Sequence, residues 1–211
     1  MPRPSNTEER RKQIAGALIK VMARRGYDGA SIAGIAKAAR LTPGLVHYHF
    51  ASKQEILLAA LDELVARHAA RLEERLGAAG EDDPHAQVAA FIDVHLAVGA
   101  SADPDALACW VLISGEALRE PKVRAGFQAA LANLNARLTA IIRRGVERRV
   151  FAGVEPEPAA AALLAAIQGY FVLAATARTL IPRGSAAAAA KQMAEGLLRP
   201  RRHFPGPEAR S

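Results

Sequence analysis

The sequence predicts an all-α protein of about nine helices: an N-terminal three-helix head of helix-turn-helix type, then a C-terminal helical bundle. Three observations carry this reading. Strand signals are missing, since there is no sustained apolar/polar alternation and no Asn-Gly hairpin, and Ala, Leu, Arg and Glu dominate. Helix starts recur, with Ser, Thr or Asp ahead of Pro or of apolar residues at three-and-four spacing. The charge is one-sided. Residues 1–53 hold ten Lys/Arg against three acids, whereas the other 158 residues hold 18 of each, so the whole formal charge of +7 falls on the first quarter of the chain. A local basic excess is the footprint of a polyanionic partner. A solubilising surface has the same composition, so charge alone does not decide between the two.

Each element follows from its punctuation. Thr7 caps a helix that runs to Arg25 and stops at Gly26, where a left-handed residue ends a helix at little cost. Ser31 opens a short helix to about Ala38, and Thr42-Pro43 opens another, Thr as N-cap and Pro at the first helical position. Ser52-Lys53-Gln54-Glu55 reads as a capping box. It launches a long helix through Ile56, Leu57, Ala60, Leu61 and Leu64 towards Leu76, with its apolar stripe expected in the bundle. Pro84, Asp103-Pro104, Pro121 and Pro158 begin four more helices, and an Ala-rich helix follows Pro182-Arg183-Gly184-Ser185 and ends near Leu198. The expected domains are 1–53 (motif 31–50), 54–198, and a Pro-rich, basic, disordered tail over 199–211.

The stretch from Ser31 to Lys53 carries the function. Ile32, Ile35, Ala36 and Ala39 share one side of the first short helix, and Leu41 fills the corner. Val46 and Phe50, four apart, anchor the second helix to the same core. At about 100° per residue the opposite face belongs to Gly44, Leu45 and Tyr48, flanked by His47 and His49. Small and hydrogen-bonding residues on a rigidly held short helix suit a major groove. Thr42 and Pro43 approach base edges or phosphate, Gly44 lets the backbone come close, and Leu45 meets a thymine methyl. Tyr48 and His49 donate to phosphate oxygens, Lys53 adds charge at the next helix start, and Arg10, Arg11 and Arg3 reach neighbouring phosphates.

On these residues the chain resembles the TetR family of repressors: the helix Thr7 to Gly26, the turn Gly26-Tyr27-Asp28-Gly29 with Ser31, the IAxxA segment (Ile35, Ala36, Ala39) and the HYHF-xSK block from His47 to Lys53. The resemblance implies an all-helical remainder whose last two helices pair across a two-fold axis into a four-helix bundle. It also implies an operator of double-stranded DNA and a small-molecule effector. The second half is similar in general pattern to the sub-group that includes the choline-responsive BetI repressors. Two positions depart from the family. Arg40 occupies the turn where Gly is usual, and a left-handed backbone there costs Arg about 1 kcal/mol unless the turn adapts or the guanidinium gains a phosphate. His47 replaces a frequent Tyr, which changes the groove contact at that position.

The rest is less specific. Cys109, Trp110 and Ser114 on the central helix are candidates to line an effector cavity, with simple core packing the competing reading for Cys109 and Trp110. A homodimer is expected on the last two helices, through small residues including Gly169 and the larger Leu163, Leu164, Ile167, Tyr170, Phe171 and Leu197. Arg143, Arg144, Arg148 and Arg149 read as a solvated face. His47 and His49 point about 200° apart on a helix and do not chelate a metal. The single cysteine excludes an internal disulfide and a zinc cluster. No cofactor is implied, and no Glu-x-x-His pair, nucleophile motif or phosphate loop supports an enzyme. The longest apolar run, Ala159 to Ile167, stops at Gln168, so no membrane span is expected. The charged N-terminus has no hydrophobic segment behind it, and a cytoplasmic location is expected. The competing function is a small-molecule binding protein whose head is degenerate.

Overall fold

The computed structural model describes residues 6–97 and 103–200. Among these residues there are nine α-helices, one 3-10 turn at Arg178–Leu180 and no strand. In chain order the helices are α1 (Asn6–Arg25), α2 (Ile32–Ala39), α3 (Pro43–His49), α4 (Lys53–Ala79), α5 (Pro84–Leu96), α6 (Pro104–Glu116), α7 (Pro121–Glu147), α8 (Pro156–Thr176) and α9 (Ser185–Leu198). Arg3 and the tail from residue 201 lie outside the described residues.

The caps act as their chemistry requires. Ser31, Thr42, Asp83 and Asp103 accept from backbone N–H groups three residues on, at 3.1, 3.3, 2.9 and 2.9 Å. Each satisfies a donor that the first helical turn leaves unpaired. Ser52 accepts from the Glu55 N–H at 3.1 Å, while the Glu55 carboxylate reaches back to the N–H of Ala51 at 2.9 Å, one residue earlier than the usual capping box. Gly26 ends α1 with φ +69°.

The chain divides into two compact units: Met1–His68 with Asp103–Ala130, and Ala69–Ala102 with Leu131–Ser211. The first has a core of Ile14, Leu18 and Met22 from α1, Ile35 from α2, Val46 and Phe50 from α3, Ile56, Leu57, Ala60 and Leu61 from α4, and Cys109 and Ile113 from α6. The helix-turn-helix is thus embedded in a larger packing unit that includes α6. Ala60 and Leu61, expected in the bundle, are buried in the core of this first unit.

The second unit buries Leu72 and Leu76 of α4, Val88, Phe91 and Ile92 of α5, Leu138, Ile141 and Ile142 of α7, and Ala190, Ala194 and Leu198 of α9. Phe151 lies so close to Gly145 that a Cβ there would sit 2.1 Å from its ring, so glycine is required at that point of α7. Lys191, itself buried, meets Asp93 at 2.8 Å. Arg144 corrects the expectation of a solvated arginine face: it is half-buried and donates to Gln87 at 2.6 Å. Arg148 bridges to Asp82 at 2.7 Å.

One expectation about α8 changes. Leu163, Leu164 and Ile167 are buried within the second unit with Ala159 and Ala160, so they belong to this chain's own core and not to an outer face. Tyr170, Phe171 and Leu197 are half-buried against the same core. The larger apolar side chains turn inward because burying them removes the most apolar surface from water. By length and composition α8 is also apolar enough to cross a bilayer. Leu163, Leu164 and Ile167 of this helix are buried in the protein, a composition that a core helix shares with a span.

Candidate nucleic-acid interface

Helix α3 spans only seven residues, too few to be stable alone, so its neighbours hold it. Val46 and Phe50 are its buried anchors. The turn before it is tight: Arg40 takes a left-handed backbone, φ 57° and ψ 40°, and the Leu41 N–H returns to the Ala36 carbonyl at 2.9 Å. This is the conformation that a glycine would adopt without strain. Outward, Thr42, Pro43, Gly44, His47 and Tyr48 are exposed, Tyr48 at 79%. His49 is half-buried, its Nδ1 has no hydrogen-bond partner, and its ring meets that of Tyr48 edge-on at 5.1 Å. Leu45, read as facing outward, is half-buried.

The cations divide. Arg40 is exposed at the turn. Arg10 donates to the side-chain oxygen of Gln13 at 2.6 Å. Arg11, expected at a phosphate, donates to the backbone carbonyl of His49 and lies 4.0 Å over the Phe50 ring. Lys53 donates to the Tyr27 carbonyl at 3.0 Å and sits 4.2 Å from the centre of that ring. Burial first, then the carboxylates of Glu116, Glu120 and Asp28, raise the Tyr27 hydroxyl above its ordinary 10.0. Gln13 and Tyr27 were missed as candidates. A single uncharged Gln on a charged helix carries no signal, and Tyr27 acts through its carbonyl and ring face.

The expected effector residues separate as well. Cys109 is buried in the first unit's core, its thiol 3.8 Å from the Met22 sulfur, and burial pushes it up to about 12, in keeping with the core-packing reading. Trp110 is half-buried with its ring centre 4.5 Å from that of Phe127. Ser114 donates to the Val111 carbonyl of its own helix at 2.7 Å.

A capped short helix, seated on a tight turn and showing small and polar side chains outward, defines a DNA-binding transcriptional regulator of the helix-turn-helix class. This chain belongs to the TetR family. Residues 14–60 match the bacterial regulatory proteins of the tetR family, and residues 84–199, over half of the chain, match the C-terminal region of BetI-type transcriptional repressors. The HTH-type transcriptional regulator BetI of Burkholderia mallei is 25% identical over 201 residues, covering 95% of this chain and 100% of that relative. BetI of Rhizobium meliloti is 29% identical over 124 residues, covering 59% of this chain and 60% of that relative, so the match spans less than two thirds of its length. Among solved structures, a transcriptional regulator from Saccharomonospora viridis in complex with choline is similar with a TM-score of 0.78 and 25% identity, over 91% of this chain and 96% of that one. A regulator from Rhodococcus sp. gives 0.78 and 26%, over 90% and 96%. These relatives are transcriptional regulators, not enzymes.

Proposed function

We propose that this protein is a ligand-responsive repressor that binds an inverted-repeat operator as a homodimer in the cytoplasm. The outward row Thr42, Pro43, Gly44 and Tyr48 on α3, with Val46 and Phe50 locked behind it, carries the reading. Such a face admits close backbone approach, a phosphate donor and base-edge contacts together. Two-fold pairing fits the outer side of α8, which exposes Ala161, Ala165, Gly169, Val172 and Leu173, with Met193 and Gly196 exposed on α9. Small residues let helices approach closely, and the uncovered apolar surface favours a partner. The effector is a small molecule. The choline complex of the Saccharomonospora relative makes quaternary ammonium compounds the first class to test. The experiment is selection of bound duplexes from a random library, then footprinting. The reading expects an enriched inverted repeat with half-sites about 34–36 Å apart or a multiple of that. Failure to enrich any sequence leaves a small-molecule binding protein with a degenerate head.

A further inference from the structure

Both helices of the helix-turn-helix motif end on a side chain from α1. The Gln13 amide donates at 2.7 Å to the carbonyl of Ala39, the last residue of α2. The Arg11 guanidinium donates to the carbonyl of His49, the last residue of α3, and covers the ring of Phe50, its C-cap. These carbonyls lack helical partners and carry the negative end of each helix dipole, so a donor there is favourable and a cation more so. The amide of Gln13 is itself oriented: Arg10 donates to its oxygen at 2.6 Å, which turns its nitrogen to Ala39. Phe50 is buried, so the guanidinium lies on a surface that cannot shift independently of the core.

We propose that Arg11 and Gln13 are positioning residues that set the pose of the recognition helix α3, and through it the operator discrimination, without touching DNA. Gln13 holds the end of α2 that enters the tight turn at Arg40, Arg11 holds the far end of α3, and the orientation of α3 is determined by both. The inference rests on the reading of α3 as the recognition helix. It differs from the sequence expectation for Arg11, a phosphate contact, in what salt should do. Loss of one phosphate contact per protomer lowers the dimer's salt slope by about 1.8. Loss of a positioning bond leaves the slope alone and narrows the gap between right and wrong sequence.

The test measures binding of the library-selected duplex and of a scrambled duplex of equal length, over a salt series. The proteins are wild type, Arg11→Met, Arg11→Lys and Gln13→Leu, each checked by far-UV circular dichroism and thermal melting. The expected result for Arg11→Met and Gln13→Leu is a fall of about tenfold on the selected duplex, equivalent to about 1.4 kcal/mol. Affinity for scrambled DNA and the salt slope stay at wild-type values. Gln13 carries no charge, so a matching loss of discrimination from its variant separates positioning from phosphate contact. Arg11→Lys keeps charge and stem but loses the flat fork, so it also loses discrimination with its slope intact, and it serves if Arg11→Met does not fold. Equal loss on both duplexes with a reduced slope in Arg11→Met, and full discrimination in Gln13→Leu, would overturn the proposal. A wild type that selects no sequence overturns the repressor reading itself, and the positioning role of Arg11 and Gln13 with it.

Discussion

Gln54, in the first turn of α4, donates its amide to the carboxylate of Glu120 at 2.5 Å, 66 residues further along the chain and next to the proline that opens α7. Its neighbour Lys53 holds the Tyr27 carbonyl at the end of α1. The start of α4 is therefore tied to the α1–α2 turn on one side and to the α6–α7 turn on the other. Hydrogen bonds to a charged group contribute more than neutral ones, but both partners here are partly solvated. Gln54→Leu is expected to cost about 1 kcal/mol in urea unfolding. A double-mutant cycle with Glu120→Leu should show coupling of at least about 0.5 kcal/mol. Strict additivity would mean that the bond contributes nothing to the fold.

The exposed and half-buried members of α3 should respond differently. Tyr48→Ala removes a side chain with few contacts, so stability should move by less than about 0.5 kcal/mol. Affinity should fall for every DNA sequence, as expected of a phosphate contact, with the salt slope unchanged because the hydroxyl carries no charge. Leu45→Ala should instead shift base preference at one position per half-site, by about 1 kcal/mol, and lower the melting temperature as well, because Leu45 is half-buried. Library selection with each variant checks both. Unchanged affinity and preference in the two variants would remove α3 from the groove.

Arg40 sets stability against binding. Its left-handed backbone costs a non-glycine residue about 1 kcal/mol, yet its side chain is exposed beside the recognition helix. Arg40→Gly should therefore raise thermal stability while weakening DNA binding and flattening its salt dependence. Opposite signs are the point of the measurement. A variant that gains stability with no change in DNA affinity would show that the guanidinium makes no phosphate contact.

Cys109 gives a pH prediction. Its thiol is displaced upward from 9.0 to about 12, burial being the largest cause. Between these values the unfolded chain ionises and the native chain does not, so the unfolded state binds fewer protons and stability falls as pH rises from 9.0 towards 12. At pH 8 the native thiol should react with a disulfide reagent only as fast as the protein opens, and at the rate of a free thiol in urea. Rapid stoichiometric labelling of the native protein would contradict the burial of α6 against α1.

What was legible in the sequence was local. Ser31, Thr42, Asp83 and Asp103 announce helix starts because a cap needs only its own neighbours, and each acts as one. The outward row of α3 follows from the angle per residue, with Val46 and Phe50 as anchors. Partner choice was not legible. Cys109 reads as a cavity or core residue, and nothing in the spacing of Cys109 and Ile113 says that α6 packs with α1. Arg11 reads as a free cation in a basic segment, and only the placement of the His49 carbonyl makes it a structural donor. The same limit holds for Leu163 and Ile167: large apolar residues mark burial, not which surface covers them, and here it is the chain's own core.

With the large residues of α8 turned inward, the outer side offers Ala161, Ala165 and Gly169 at four-residue spacing, followed by the exposed Val172 and Leu173. Residues four apart lie on one stripe of a helix, and a stripe this flat lets a second copy approach to the short end of the usual ~8–10 Å between axes. Ala165→Arg places a long charged side chain in the middle of the stripe. Because Ala165 is exposed, the substitution should leave the fold and melting of the isolated chain within about 0.5 kcal/mol of wild type. In the pair, the arginine would be buried against its symmetry mate, and two like charges stripped of water repel strongly. Sedimentation at micromolar concentration should then show two chains for wild type and one for Ala165→Arg. The separated chains should lose most of their affinity for the inverted repeat and retain that for a single half-site. An Ala165→Arg protein that still sediments as two chains would place the two-fold contact elsewhere on the surface, and Leu118, exposed at the end of α6, would be the next position to test.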